Sequence, residues 1–487
     1  MRSDGVRDVK TPDGGQGFQA IVERERGLQR RLSAARLSMI AIGGAIGTGL
    51  FLGSGLAIGL AGPAVLVSYA IGALIALLLM GCLAEMTLAH PTSGSFGSYA
   101  EYYIGPWAGF LVRYAYWTCI VLAVGTEVTA VAIYMHFWLP DAPGWVWILA
   151  FSALLMAVNA RSVNVFGAVE YWFSAIKVTA IVVFVLLAAY ILWRAPAMLA
   201  AGAGRGNPVG LRNYTAYGGF FPHGLWGAWV AVIVAVFSYL SIEMIAVAAG
   251  EAEQPQVAVR RAFRSTVLRL ILFYLLTLAL VLAIVPWQAA GIDESPFVKV
   301  LRALAVPAAP GIFNFVILIA ALSAMNSQLY VTTRMMFSLA RAGQAPQRFG
   351  VLTARGVPLQ ALLLSSSGIA LAAVMSIVAP KSAFILMVSI SAFGAMFTWM
   401  MIFVTHYCFR RARAAPPAGV FRMFGFPLTT LLGAALMAAV LLTTAFTEAF
   451  RMTLVFGVPF MTALCLIYWY RNARAASSDG ASRVLDI

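Results

Sequence analysis

Three ionisable side chains, Glu127, Lys177 and Glu243, interrupt long apolar runs. In hydrocarbon each costs at least ~2.5 to 3.5 kcal/mol on insertion scales, so each is a candidate for function. Burial disfavours the charged form of such groups, which brings proton exchange toward physiological pH. Static pairing, for instance of Lys177 with a helix-end carbonyl or a Glu, is the structural alternative. Glu85, Glu170, Glu251 and Arg113 lie nearer the ends of apolar runs, where water or loop partners can satisfy them. They read as structural or gating residues.

Two local sequences explain where such charges would act. GGAIGTGLFLGSGLAIG carries Gly43, Gly44, Gly47, Gly49, Gly53, Gly55 and Gly59, and a helical Gly costs about 1 kcal/mol relative to Ala. That stretch is poised to unwind, although Gly43-x-x-x-Gly47 also fits close packing through small residues. FSYLSIE at 237 to 243 places Ser238, Ser241 and Glu243 in an otherwise apolar segment, where polar side chains can replace lost backbone hydrogen bonds. Amides at a half-helix N-terminus attract a carboxylate, and unwound carbonyls accept from an ammonium. An α-amino acid offers both groups. The polar candidates are Thr48, Gly49, Ser238 and Ser241, with Phe237 as an apolar lid.

The elements that position these residues are membrane spans. Of 487 residues, 62% are hydrophobic and 10% charged, against about 25% charged in soluble domains. Twelve apolar stretches approach the ~20 residues a span needs: roughly 37–61, 64–89, 107–138, 144–160, 168–193, 226–249, 266–288, 309–340, 358–378, 382–408, 427–447 and 452–470. The expected organisation is an N-terminal tail over 1–36, a transmembrane domain over 37–470 and a C-terminal tail over 471–487. No secretory signal is expected at the start, the first apolar helix serving for insertion. With both termini in the cytoplasm, 24 basic residues fall on that side and 7 on the other, as the positive-inside rule requires. Lipid head groups and insertion thus account for the net charge of +15, which removes nucleic acid as a partner. Residues 89–106 read as an interfacial segment on the cytoplasmic side, and 194–225 as an outer loop. The four Cys and four His are scattered, so no metal, no cofactor and no enzyme chemistry is expected. If the first ten spans are two inverted halves of five, spans one and six correspond, and their breaks meet at the midplane.

Several separated segments carry a family resemblance: GGAIGTGLF at 43–51, AGP at 61–63, AEM at 84–86, PTSGSF at 91–96 and GTEVTAVAIYMHFW at 125–138. So do EYWFSAIKV at 170–178, AAGEAEQP at 248–255 and SAMNSQLYVTTRMMFSLARAGQAP at 323–346. Over residues 27–470 the chain resembles the bacterial amino acid permease branch of the amino acid-polyamine-organocation superfamily. The resemblance implies an all-α integral membrane protein of about 12 transmembrane helices, a LeuT-type 5+5 inverted repeat plus two C-terminal helices. It implies a substrate carboxylate at Thr48 and Gly49, an amine near the carbonyls of Ala45 and Leu240, an aromatic gate at Phe237 and a sixth-span carboxylate at Glu243. It also implies that Lys177 takes the place of a sodium ion, which makes the coupling ion a proton. The family usually has Gly where this chain has Ser241, which leaves the class unchanged and the exact substrate open.

The expectation is secondary active import of a neutral L-amino acid by proton symport across the bacterial inner membrane, with Lys177 and Glu127 as coupling residues. The expected partners are substrate, proton and membrane lipid. Exchange of one amino acid or amine for another is the competing transport reading. A nutrient sensor with the same fold is the reading from another class.

Overall fold

The computed structural model describes residues 16–24, 33, 39, 43–200, 210–252, 271–289, 291, 293–302, 308–412 and 421–485. Among these the chain is helical with no strand. Nine helices are long and apolar enough to cross a membrane, and two shorter apolar helices, Gly144–Asn159 and Ile271–Ile284, accompany them. Apolar composition forces this outcome, because backbone groups in hydrocarbon can be satisfied within a helix and not by lipid.

Burial sorts the helices. The segment Gly224–Glu251 is wholly buried over its apolar length, whereas Glu448–Ala473 is mostly exposed. The first is therefore core and the second presents its sides to lipid. Pro106–His136 is the central post, packed against Ala309–Arg341 and Ala383–Ala412. Exposed Trp172, Trp193 and Trp469 lie on the outside of the bundle, where apolar side chains meet lipid without penalty.

Both expected breaks are present. The backbone is helical at 43–45, bends at 46–47, and resumes as the helix Thr48–Phe51 followed by Gly53–Ala61. The second segment runs as helix Val232–Tyr239, leaves helical geometry at 240–243 and resumes over Met244–Ala248. The start of the first expected span at 37, most of the tail 1–36, part of the loop 194–225 and the end of the 248–255 motif lie outside the described residues. The last helix, Arg451–Leu485, runs through position 470.

Candidate functional site

The first break exposes backbone groups that side chains then claim. Gly47 is extended, with φ −135° and ψ −150°, so the carbonyls before it lose their helical donors. Lys177 Nζ donates to the Gly43 carbonyl at 2.5 Å and to the Ile46 carbonyl at 2.9 Å. The Tyr274 hydroxyl lies 2.7 Å from the Ala45 carbonyl and 2.9 Å from the Ser238 carbonyl. Its single proton is thus shared between the two broken segments. On the far side of the break the Thr48 amide donates to Glu127 Oε2 at 3.1 Å.

Glycine matters here for approach as well as for unwinding. A Cβ on Gly47 would lie 2.6 Å from Glu127 Oε1, and one on Gly43 would overlap Glu170 Oε1. The glycines thus let two carboxylates reach the main chain, which neither unwinding nor helix packing alone had required. Gly49 packs so closely on Ser238 that a Cβ would lie 2.7 Å from the Ser238 α-carbon. Ser238 Oγ also lies 2.8 Å from the Gly49 carbonyl, and the Tyr69 hydroxyl meets it at 2.8 Å.

The second break turns on Ser241. Leu240 is extended, with φ −58° and ψ 148°, and Ser241 has φ +82°, a left-handed conformation that favours glycine. The Gly that the resemblance implies at this position would carry that backbone without strain. The Ser241 hydroxyl is buried and has no partner among the described residues, while its amide donates to Glu243 Oε1 at 3.1 Å. Tyr116 donates to the same oxygen at 2.7 Å and Trp399 Nε1 to Oε2 at 3.2 Å. Glu243 is thereby tied to the helices Pro106–His136 and Ala383–Ala412. Ala45, Thr48, Gly49, Phe237, Ser238, Leu240 and Ser241 are all buried in one core.

Of the residues read as structural or gating, three sit in ion pairs toward helix ends. Glu85 meets Arg410 at 2.7 Å and His406 at 3.1 Å. Glu251 meets Arg334 at 2.8 Å. Arg113 meets Glu101 at 2.6 Å, and Glu101 is also gripped by Arg24 at 2.8 Å. Burial alone would raise the Glu101 carboxyl, but the hydrogen bonds and charges of Arg24 and Arg113 hold it below the ordinary carboxylate value.

Glu170 is the exception. It is fully buried, and Ser323 and Asn326 donate to it at 2.5 and 2.9 Å, while the Ser174 hydroxyl, 3.3 Å away, also lies 2.9 Å from the Met39 carbonyl. Sequence reasoning set it at a helix end because the apolar run begins at 168, whereas the helix itself begins at Val163. The seven-residue spacing to Lys177, two turns on one face, was the available signal. Tyr116 likewise precedes Glu127 by eleven residues, three turns on one face, but Trp399 and Tyr274 carried none.

A cavity of about 450 Å³ lies beyond Glu127, lined by Tyr134, His136, Asp293, Glu294, Arg302 and Asn314 among others. Tyr134 is seven residues from Glu127 on one helix, roughly 10 Å along its axis. Among the described residues no group of three His, Cys, Asp or Glu could hold a metal ion.

Buried charges set beside two broken helices in an apolar bundle define a multi-pass membrane transporter. The chain belongs to the amino acid permease family, whose model matches residues 36–476. It is 38% identical to the uncharacterized amino acid permease YtnA of Bacillus subtilis (strain 168), covering 94% of this chain and 100% of that one. It is 38% identical to the gamma-aminobutyric acid permease of the same organism, over 95% and 98%. The aromatic amino acid transport protein AroP of Escherichia coli O6:H1 is 35% identical over 94% and 98%. A solved manganese transporter of Eremococcus coleocola covers 97% of this chain and 100% of its own at 14% identity and a TM-score of 0.53, a likeness of fold alone. Its fold supports the LeuT-type architecture, with the number of spans standing at those described above. A transporter of this family is not an enzyme.

Proposed function

We propose that the protein imports a neutral L-amino acid by proton symport, with the Glu101 face in the cytoplasm and the Asp293 face outside. The observation that carries the reading is the 3.1 Å bond from the Thr48 amide to Glu127. A substrate carboxylate seeking the amides at Thr48 and Gly49 meets a protein carboxylate already there. Two carboxylates at one site cannot both remain ionised at low cost. Arrival of substrate therefore displaces Glu127 from the amide and leaves it holding a proton.

Lys177 supplies the positive charge. Its ammonium holds the carbonyls of Gly43 and Ile46, a position in which a bound cation would also be coordinated. The substrate ammonium meets the carbonyls near Ala45 and Leu240. Phe237 closes over the side chain, and Ser238, Ser241 and Glu243 shape the second wall. The relatives' names include gamma-aminobutyric acid and aromatic amino acids, which share a carboxylate and an ammonium but no side chain. That pattern fits a common hold on the charged ends with selectivity set elsewhere in the pocket.

The orientation rests on the excess of basic residues assigned to one side, 24 against 7. A membrane potential of 100 mV contributes about 2.3 kcal/mol per charge carried inward. The test is uptake of a panel of radiolabelled amino acids into proteoliposomes with and without an inward proton gradient. Gradient-dependent, uncoupler-sensitive accumulation is expected. Accumulation only after internal loading would establish exchange instead, and no uptake of any substrate would favour a sensor.

A further inference from the structure

Glu170 has no role in the reading above, yet it is wholly buried and lies against the same broken segment. Glu170 Oε1 packs on the α-carbon of Gly43, and Glu127 Oε1 packs on that of Gly47. One cation, Lys177 Nζ, holds the carbonyls of Gly43 and Ile46 while the two carboxylates pack at Gly43 and Gly47, all within five residues of the first span, and it interacts electrostatically with both.

Charge arithmetic gives the arrangement its meaning. Fully ionised, the three groups carry one net negative charge in low dielectric, and one bound proton neutralises them. Desolvation favours that neutral form. Two donors, from Ser323 and Asn326, meet Glu170, the Ser174 hydroxyl beside it shares its one proton with the Met39 carbonyl, and Asn159 backs Asn326 at 2.8 Å. Among the described residues facing it from the first span, Gly144–Asn159, Ala309–Arg341 and its own helix, Lys177 is the titratable neighbour and Glu127 the next beyond it. Glu170 stands two turns closer than Lys177 to the Val163 end of their helix, roughly 10 Å along the axis, and that end faces the cytoplasm in the orientation proposed.

We propose that Glu170 is a second proton-binding site, occupied after Glu127 and nearer the face where substrate is released. This rests on the symport reading. In the transfer, a Lys177 N–H breaks as an O–H forms on Glu170. The Glu127 O–H then breaks as an N–H reforms on Lys177. The net charge of the triad is constant until Glu170 gives its proton to cytoplasmic water.

The test compares wild type, Glu170→Gln and Glu170→Asp in proteoliposomes, reading radiolabelled substrate binding, gradient-driven accumulation and the pH profile of accumulation. Glu170→Gln should keep measurable binding while its accumulation falls at least tenfold, and Glu170→Asp should recover accumulation with a displaced pH profile. Wild-type accumulation and pH profile in Glu170→Gln would overturn the proposal. Should Glu170→Gln fail to fold, an unchanged pH profile in Glu170→Asp overturns it equally, and a displaced one supports it. A wild-type protein indifferent to the gradient would overturn the symport reading as well, which separates the two failures.

Discussion

The Thr48 amide and the Glu127 carboxylate are joined across the first break at 3.1 Å, although 79 residues separate them in sequence. A helix N-terminus stabilises whichever anion occupies it. On the function proposed above, a substrate carboxylate competes with Glu127 for this amide.

Replacing Glu127 by Gln keeps the shape and removes the competing charge. Substrate affinity should become independent of pH across the range where wild type varies, and gradient-driven accumulation should fall at least tenfold. Binding measured across pH together with proteoliposome uptake checks this.

Lys177 makes two charge-assisted hydrogen bonds to main-chain carbonyls, each worth about 1.5 to 3 kcal/mol. Lys177→Met should leave binding measurable and abolish uphill accumulation. Undiminished uphill uptake by that variant would remove Lys177 from the mechanism.

Ser241 holds φ +82° with its hydroxyl buried and, among the described residues, unpaired. Ser241→Gly relieves a left-handed backbone that costs an ordinary residue about 1 to 2 kcal/mol, partly offset by the greater chain entropy of Gly. The variant should unfold at a higher temperature than wild type in detergent, and a lower midpoint would show that the Ser side chain contributes more than its backbone costs.

The glycines of the first span should divide sharply. Gly43→Ala drives a methyl into Glu170, whereas a Cβ on Gly59 meets nothing within 4 Å. Gly59→Ala should be neutral or stabilise by up to about 1 kcal/mol through helix propensity, while Gly43→Ala should lose transport. Expression yield and uptake of the two variants make the comparison.

Glu101 lies outside the spans, and Arg24 and Arg113 lower its carboxyl below the unfolded value of 4.5. A depressed folded value means stability that is fully present above that pH and lost as pH falls through the folded value. Acid should therefore lower the wild-type unfolding midpoint below about pH 4.5, and Glu101→Gln should show less of that dependence. At neutral pH Glu101→Gln leaves Arg113 buried without its carboxylate, a loss of about 3 kcal/mol.

Much of this was legible in the sequence. The glycine run and FSYLSIE marked both breaks, because Gly and Ser in apolar sequence signal helix that is not paid for by packing alone. Glu127, Lys177 and Glu243 stood out because charge in hydrocarbon is costly. Glu170 was misread because the helix extends five residues before the apolar run, to Val163, which moves its side chain inward. The left-handed backbone at Ser241 was legible only through the resemblance, which implies Gly at that position. Tyr274, Tyr69 and Trp399 were not legible, since an aromatic residue in a span is ordinarily lipid contact or core, and only the fold brings their hydroxyls and indole to the breaks.

The most direct measurement of the central claim is the number of protons taken up when substrate binds the purified protein. Calorimetric titration in two buffers of different ionisation enthalpy, near neutral pH, gives that number for wild type and Glu127→Gln. Displacement of Glu127 from the Thr48 amide predicts proton uptake in wild type and its loss in the variant. Binding without proton uptake in wild type, or equal uptake in both proteins, would contradict it.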